Sequence, residues 1–157
     1  MTQRLCLVHY HEIGLKGKNR ATFENQLVTN LHRALKPFDV ANIGRISGYI
    51  VVEAADHRAT DAMAVAIRQV PGVARVSLAY KCGLDEDEYK AAAVQALSEA
   101  GDFSTFKVHA RRSSTTYPVH TLEMNQLVGS VLCEAFPQKK VDVHNPDVTV
   151  VVHVVQG

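Results

Sequence analysis

The order of predicted elements assigns this chain to the α+β class, in two parts. Helical stripes and β-rich runs follow one another as strand, helix, strand, strand, helix, strand up to Tyr80, the split βαβ or ferredoxin-like arrangement. The composition then changes across Lys81 to Glu88, where Asp85, Glu86, Asp87 and Glu88 stand together. Beyond this tract the pattern restarts as helix, strand, helix and two strands, a smaller α/β unit. We place one domain over residues 1–80 and a second over residues 84–157.

Residues 3–10 are apolar enough for a strand. Asn19 is a favourable N-cap, and Phe23, Leu27, Leu31 and Leu35 recur every fourth position, a helical stripe that Pro37 stops. Val40 to Ile46 and Tyr49 to Glu53 are β-rich, with Ser47-Gly48 as a tight hairpin between them. Ala59 to Val70 places Met63, Ile67 and Val70 on one helical face, and Pro71-Gly72 ends it before a strand from Val73 to Tyr80. In the second part, Asp85 to Ala100 reads as a helix whose acidic first turn suits the helix dipole and which Gly101 terminates. Thr105 to Arg111 alternates, with Phe106, Val108 and Ala110 on one side and Lys107, His109 and Arg111 on the other. Thr121 is the expected N-cap of a well-buried helix carrying Leu122, Met124, Val128, Val131, Leu132, Ala135 and Phe136. Gly129 inside it reads either as close approach of another element or as a glycine that is simply tolerated. Val141 and Val143 predict a short strand, and the β-branched run Val148 to Val155 predicts a strand central in its sheet.

The chain has 157 residues, 46% hydrophobic and 21% charged, which excludes intrinsic disorder. No apolar run approaches the roughly 20 residues of a membrane span, and the residues before the first strand predict no signal peptide. Cys6, Cys82 and Cys133 are odd in number and form no CxxC pair, so neither a disulfide framework nor a zinc knuckle is predicted. A reducing, cytoplasmic setting is expected. The formal net charge is only +1, but it is unevenly spread. Residues 1–48 hold seven basic and three acidic residues, whereas residues 49–104 hold five basic and nine acidic.

Two clusters carry the candidate chemistry. Lys16, Lys18, Asn19 and Arg20 surround a Gly-containing turn that opens a helix, where unpaired N–H groups and the dipole favour phosphate. A solvated basic turn reads the same way. Lys107, His109, Arg111 and Arg112 gather on one strand, with no acid between Lys107 and His120. Such a face suits RNA phosphates, and Tyr117 and His120 could stack on bases. An ordinary exposed strand face is the competing reading. Lys139 and Lys140, read as a loop, could join this patch. His9 and His11 share a strand face but lack partner ligands, so no metal site is predicted. Cys82 beside Lys81 is either a reactive thiol or an ordinary linker residue. The sequence contains no GxSxG, HExxH, GxGxxG or SGGxDS segment, so no catalytic centre is predicted in this chain.

The stretch HEIGLKGKNRATFENQLVTNL resembles the opening of bacterial tRNA 4-thiouridine synthases, the tRNA sulfurtransferases. GRISGYIVVE and IRQVPGVARV agree with this. FKVHARRS, the helix with Met124-Asn125 and Val128-Gly129, and NPDVTVVVHV resemble a THUMP domain. The resemblance implies a ferredoxin-like domain followed by an α/β THUMP domain, truncated at its C-terminal end. It implies that THUMP holds the 3′ end of tRNA while the first domain seats the acceptor stem. By this resemblance, Lys16, Lys18, Asn19 and Arg20 hold the stem, and Arg111 and Arg112 hold the end. A catalytic domain outside this chain would use ATP and magnesium to activate uridine 8. A cysteine persulfide, delivered by a donor such as a cysteine desulfurase, would supply sulfur, and some members also serve thiamine synthesis. Truncation would leave an edge beside Val148 to Val155 and allow homodimer formation through it. Two rival readings are the THUMP-bearing region of another tRNA-modifying enzyme, such as a methyltransferase, and a ferredoxin-like module that binds a small regulator.

Overall fold

The computed structural model describes residues 3–11, 18–46, 49–113 and 117–155. They form two compact units, one from Gln3 to Lys81 and the other from Cys82 onward. The first contains β1 (Gln3–Tyr10), α1 (Lys18–Ala34), β2 (Val40–Ile46), β3 (Tyr49–Ala54), a 3-10 turn (His57–Ala59), α2 (Thr60–Arg68) and β4 (Val73–Lys81). Its antiparallel sheet runs β2-β3-β1-β4, the ferredoxin-like order.

This unit folds as its sequence periods dictate. In β1, Cys6, Val8 and Tyr10 face the helices, and α1 lowers Leu27, Leu31 and Leu35 onto them. Met63, Ala64 and Ile67 of α2 and Ile50 and Val52 of β3 complete the core. Each fully buried Leu contributes roughly 1.5–3 kcal/mol. At the end of α2, Gly72 has φ +96°, and a Cβ there would approach Phe23 Cζ to 3.1 Å. Glycine therefore meets both a left-handed turn and a close approach. Asn19 sits inside the first turn of α1, one residue beyond the first helical position. The expected Ser47-Gly48 hairpin lies outside the described residues, flanked by the register pair Ile46 and Tyr49.

The second unit contains α3 (Glu86–Ser98), β5 (Thr105–Arg112), α4 (Thr121–Ala135), β6 (Lys140–Val141) and β7 (Val148–Val154). Its sheet has the order β6-β5-β7, and both neighbours run parallel to β5. Phe106, Val128, Leu132, Leu97, Tyr89 and Val150 form the main core. A smaller cluster of Ala110, Met124 and Val154 receives Tyr117 and Val119 at its side. Asn125 ties α4 to the sheet, its Oδ1 accepting the Ala110 N–H at 2.8 Å. Asp147 secures the start of β5 by accepting from the Ser104 and Thr105 N–H groups at 2.8 and 3.2 Å. These backbone donors hold its carboxyl below the usual range.

Three expectations are corrected here, and the reading of Gly129 is decided. The Val148–Val154 strand lies at the edge of the sheet among the described strands, and β5 is central. A continuous β-branched run indicates fit to a pleated surface but does not reveal how many neighbours the strand has. The α4 cap is His120 rather than Thr121, which is the first helical residue. Leu122 is 69% exposed, so the buried face of α4 is the narrower stripe Met124, Val128 and Leu132. A Cβ added at Gly129 would meet no heavy atom within 4 Å, so nothing packs closely there among the described residues.

Candidate nucleic-acid interface

Phe106, Val150 and their neighbours turn one face of the β6-β5-β7 sheet toward the helical core. Strand alternation therefore sends Lys107, His109 and Arg111 to the opposite face. Register extends the patch. Thr149, Val151 and His153 of β7 are the partners of Lys107, His109 and Arg111, and Lys140 of β6 is the partner of Thr105. His109, Arg111 and Lys140 are exposed, and Lys107 and His153 are half-buried. No acidic residue occurs in β5, β6 or β7. Burial, and then the neighbouring Arg111, lower the pKa of His153. Sequence reasoning missed His153 because it lies over forty residues from Arg111; parallel pairing brings them side by side.

Several sequence candidates make hydrogen bonds within the fold. Arg112 donates through Nη1 to the carbonyls of Tyr117 at 2.8 Å and Val119 at 3.3 Å, and its Nη2 lies 3.2 Å from His120 Nδ1. A guanidinium only donates, so His120 Nδ1 accepts and its proton sits on Nε2. Arg112 thus shapes the approach to α4, while His120 remains exposed. Tyr117 is half-buried beside Ala110 and Met124, and its hydroxyl donates to the Leu84 carbonyl at 3.1 Å. That packing corrects the expectation of a free stacking ring. Lys139 donates to the Phe103 carbonyl and places its ammonium 4.7 Å from the Phe103 ring centre. It therefore sits apart from the patch, and Lys140 belongs to β6 rather than to a loop.

In the first unit, Lys16 and the Lys18 side chain lie outside the described residues. Asn19 is exposed at the start of α1. Arg20 Nε stands 3.4 Å from Glu24 Oε1, one helical turn on, and its Nη2 donates to the Tyr10 hydroxyl at 3.5 Å.

The other reactive candidates are quiet. Burial pushes the Cys6 thiol up to about 11, and the Cys82 thiol is also raised, first by burial and then by Glu88. Raised thiols are poor nucleophiles, so the structure supports the linker reading of Cys82. Among the described residues no group of three His, Cys, Asp or Glu could hold a metal ion, and no helix is long and apolar enough to cross a membrane.

Fold and site define the class: a ferredoxin-like unit followed by a small parallel α/β unit whose sheet carries basic residues on the face opposite its helical core. Residues 5–77 match the ThiI ferredoxin-like domain and residues 84–157 match the THUMP domain. The first unit thus carries a ThiI ferredoxin-like domain and the second a THUMP domain. It is 34% identical over 146 residues to a Thermoanaerobacter pseudethanolicus protein named "Probable tRNA sulfurtransferase", covering 93% of this chain and 38% of that protein. A protein of the same name from Agathobacter rectalis is 37% identical over 149 residues, covering 92% of this chain and 38% of its own length. The chain thus spans about 38% of the length of these relatives. Among solved structures, it superposes on a 4-thiouridine synthetase–RNA complex with bound ATP with TM-score 0.81 and 30% identity, covering 96% of this chain and 38% of that one. A Pyrococcus horikoshii protein gives TM-score 0.82 and 25% identity, covering 99% of this chain and 52% of that one.

Proposed function

We propose that this chain holds tRNA for a sulfur transfer to uridine 8 that is catalysed by a domain outside its residues. The basic face of Lys107, His109, Arg111, Lys140 and His153, aligned by parallel register, carries this reading. The RNA bound to the similar 4-thiouridine synthetase supports it. On this reading the second unit takes the single-stranded 3′ end, with Arg111 and the exposed His120 as contacts. RNA-binding proteins favour such ends because their bases are accessible. Arg112 and Tyr117 shape that surface. Lys16, Lys18, Asn19 and Arg20 hold backbone phosphates of the acceptor stem, and Lys139 serves the fold.

The ATP bound to the similar synthetase supports ATP use by the whole enzyme. Magnesium, a persulfide donor, homodimer formation and a cytoplasmic setting complete the proposal. The test is a titration of labelled tRNA at several salt concentrations. Affinity should fall steeply with salt as counterions leave the RNA. Arg111→Ala should abolish the preference for tRNA with an intact 3′ end over trimmed tRNA, and Lys18→Ala should weaken both by a similar factor. No binding at low salt, a flat salt response, or the reversed mutant pattern would reject the assignment.

A further inference from the structure

We infer that Glu24 is a positioning residue that holds Arg20 and Arg45 together as a two-arginine fork for RNA phosphate, which adds Arg45 of β2 to the stem-holding residues. The inference deepens the reading above and rests on it. The Glu24 carboxylate is only 15% exposed and lies between two guanidiniums, with Oε1 3.4 Å from Arg20 Nε and Oε2 3.7 Å from Arg45 Nε. Asn25 accepts from Arg45 Nη2, and the Tyr10 hydroxyl accepts from Arg20 Nη2 at 3.5 Å. Tyr10 packs on Phe23 with ring centres 5.7 Å apart, so the support beneath Arg20 belongs to the core. Both arginine side chains nevertheless remain more than two-fifths exposed, at 41% and 45%.

One carboxylate shared by two arginines leaves this cluster with a net positive charge. A tie between α1 and β2 would need only one arginine, and exposed ion pairs stabilise folds little. Two planar guanidiniums held on one anchor suit the oxygens of a phosphate backbone. Sequence reading placed Arg20 here and had no means of placing Arg45, which lies on a strand that pairs with β3.

The decisive variant is Glu24→Gln, because charge alone and positioning predict opposite signs. Removing a negative charge should strengthen RNA binding if the field alone matters. Positioning predicts that tRNA affinity falls by roughly three- to tenfold as the arginines lose their anchor. Arg45→Ala should weaken tRNA binding by a similar factor and make the salt slope shallower by about one. In the Arg20→Ala/Arg45→Ala background, Glu24→Gln should cause no further loss of tRNA affinity, and the shallower salt slope of Arg45→Ala is the readout that a merely structural tie would leave unchanged. Thermal unfolding of each variant reports its folding, and Arg45→Ala carries the test alone if Glu24→Gln does not fold. Equal or tighter binding by Glu24→Gln, or unchanged affinity and slope in Arg45→Ala, overturns the inference. Absent binding by the unmodified chain at low salt overturns the tRNA reading and this inference with it. Steep, salt-dependent binding by the unmodified chain, matched by both variants, overturns this inference alone.

Discussion

Replacing Arg112 by alanine should loosen the approach to α4 without unfolding the second unit. The side chain makes three hydrogen bonds, at 2.8, 3.3 and 3.2 Å, to Tyr117, Val119 and His120. Each contributes about 1 kcal/mol net, and hydrogen bonds to a charged group contribute more when buried. Half-exposure of Arg112 limits the gain, so the clamp amounts to about 2 kcal/mol. That loss raises local opening roughly 30-fold, at about 1.4 kcal/mol per tenfold change. Hydrogen exchange read on residues 117–124 should therefore accelerate by about that factor. Segments of β5 and β7, held by parallel pairing and the Phe106 core, should keep their protection. Arg112→Lys should recover less than half of the effect, because a single ammonium cannot reproduce the planar fork. The same Arg112→Ala chain should lose its preference for tRNA with an intact 3′ end, since His120 no longer has a fixed tautomer and position. Unchanged exchange across 117–124, together with an intact end preference, would refute the clamp.

Two further outcomes follow from positions described above. Gly129→Ala should stabilise the second unit by about 0.5–1 kcal/mol, raising its melting temperature, because the site is helical and open; a lower melting temperature would mean an unseen neighbour. His9 and His153 should make the fold acid-sensitive. His9 is lowered first by burial and then by Arg75, and His153 first by burial and then by Arg111. Their neutral forms are favoured in the folded state, so their stability contribution is complete above the unfolded value of about 6.5 and is lost as pH falls through it toward the lower folded values. The double variant His9→Gln/His153→Gln should flatten that decline in melting temperature, and an unaltered profile would assign it to other groups.

The first unit was legible because its signals are local and periodic. Leu27, Leu31 and Leu35 share one helical face wherever the helix lies, and Pro37 and Gly72 punctuate without tertiary help. What escaped depended on who stands beside whom. The Val148–Val154 run has the same composition at an edge as in a centre, and only the pairing decides. The carbonyl partners of Arg112 and Lys139 were not legible either, because a cation is a cation in sequence. Backbone carbonyls brought near by folding claimed both. Conversely, His153 and Arg45 gained their places through strand pairing and a shared carboxylate. The face of β5 was readable in advance, since alternation alone separates Lys107, His109 and Arg111 from Phe106, Val108 and Ala110.

The register of the first sheet has a consequence for how this chain is made. Gln3 pairs with Lys81 and Leu5 with Ala79, so within this unit the strand synthesised first waits for the strand synthesised last. Closing a loop of that length costs on the order of 4 kcal/mol in chain entropy before any ladder bond offsets it. Folding of this unit should thus begin with the local β2–β3 pairing and conclude with β1 and β4. The finished sheet leaves the two ends of the unit as neighbours across one antiparallel pair, a few ångströms apart. A unit whose two ends meet can be joined to, or removed from, a longer polypeptide with little distortion of either, which makes it a natural detachable module.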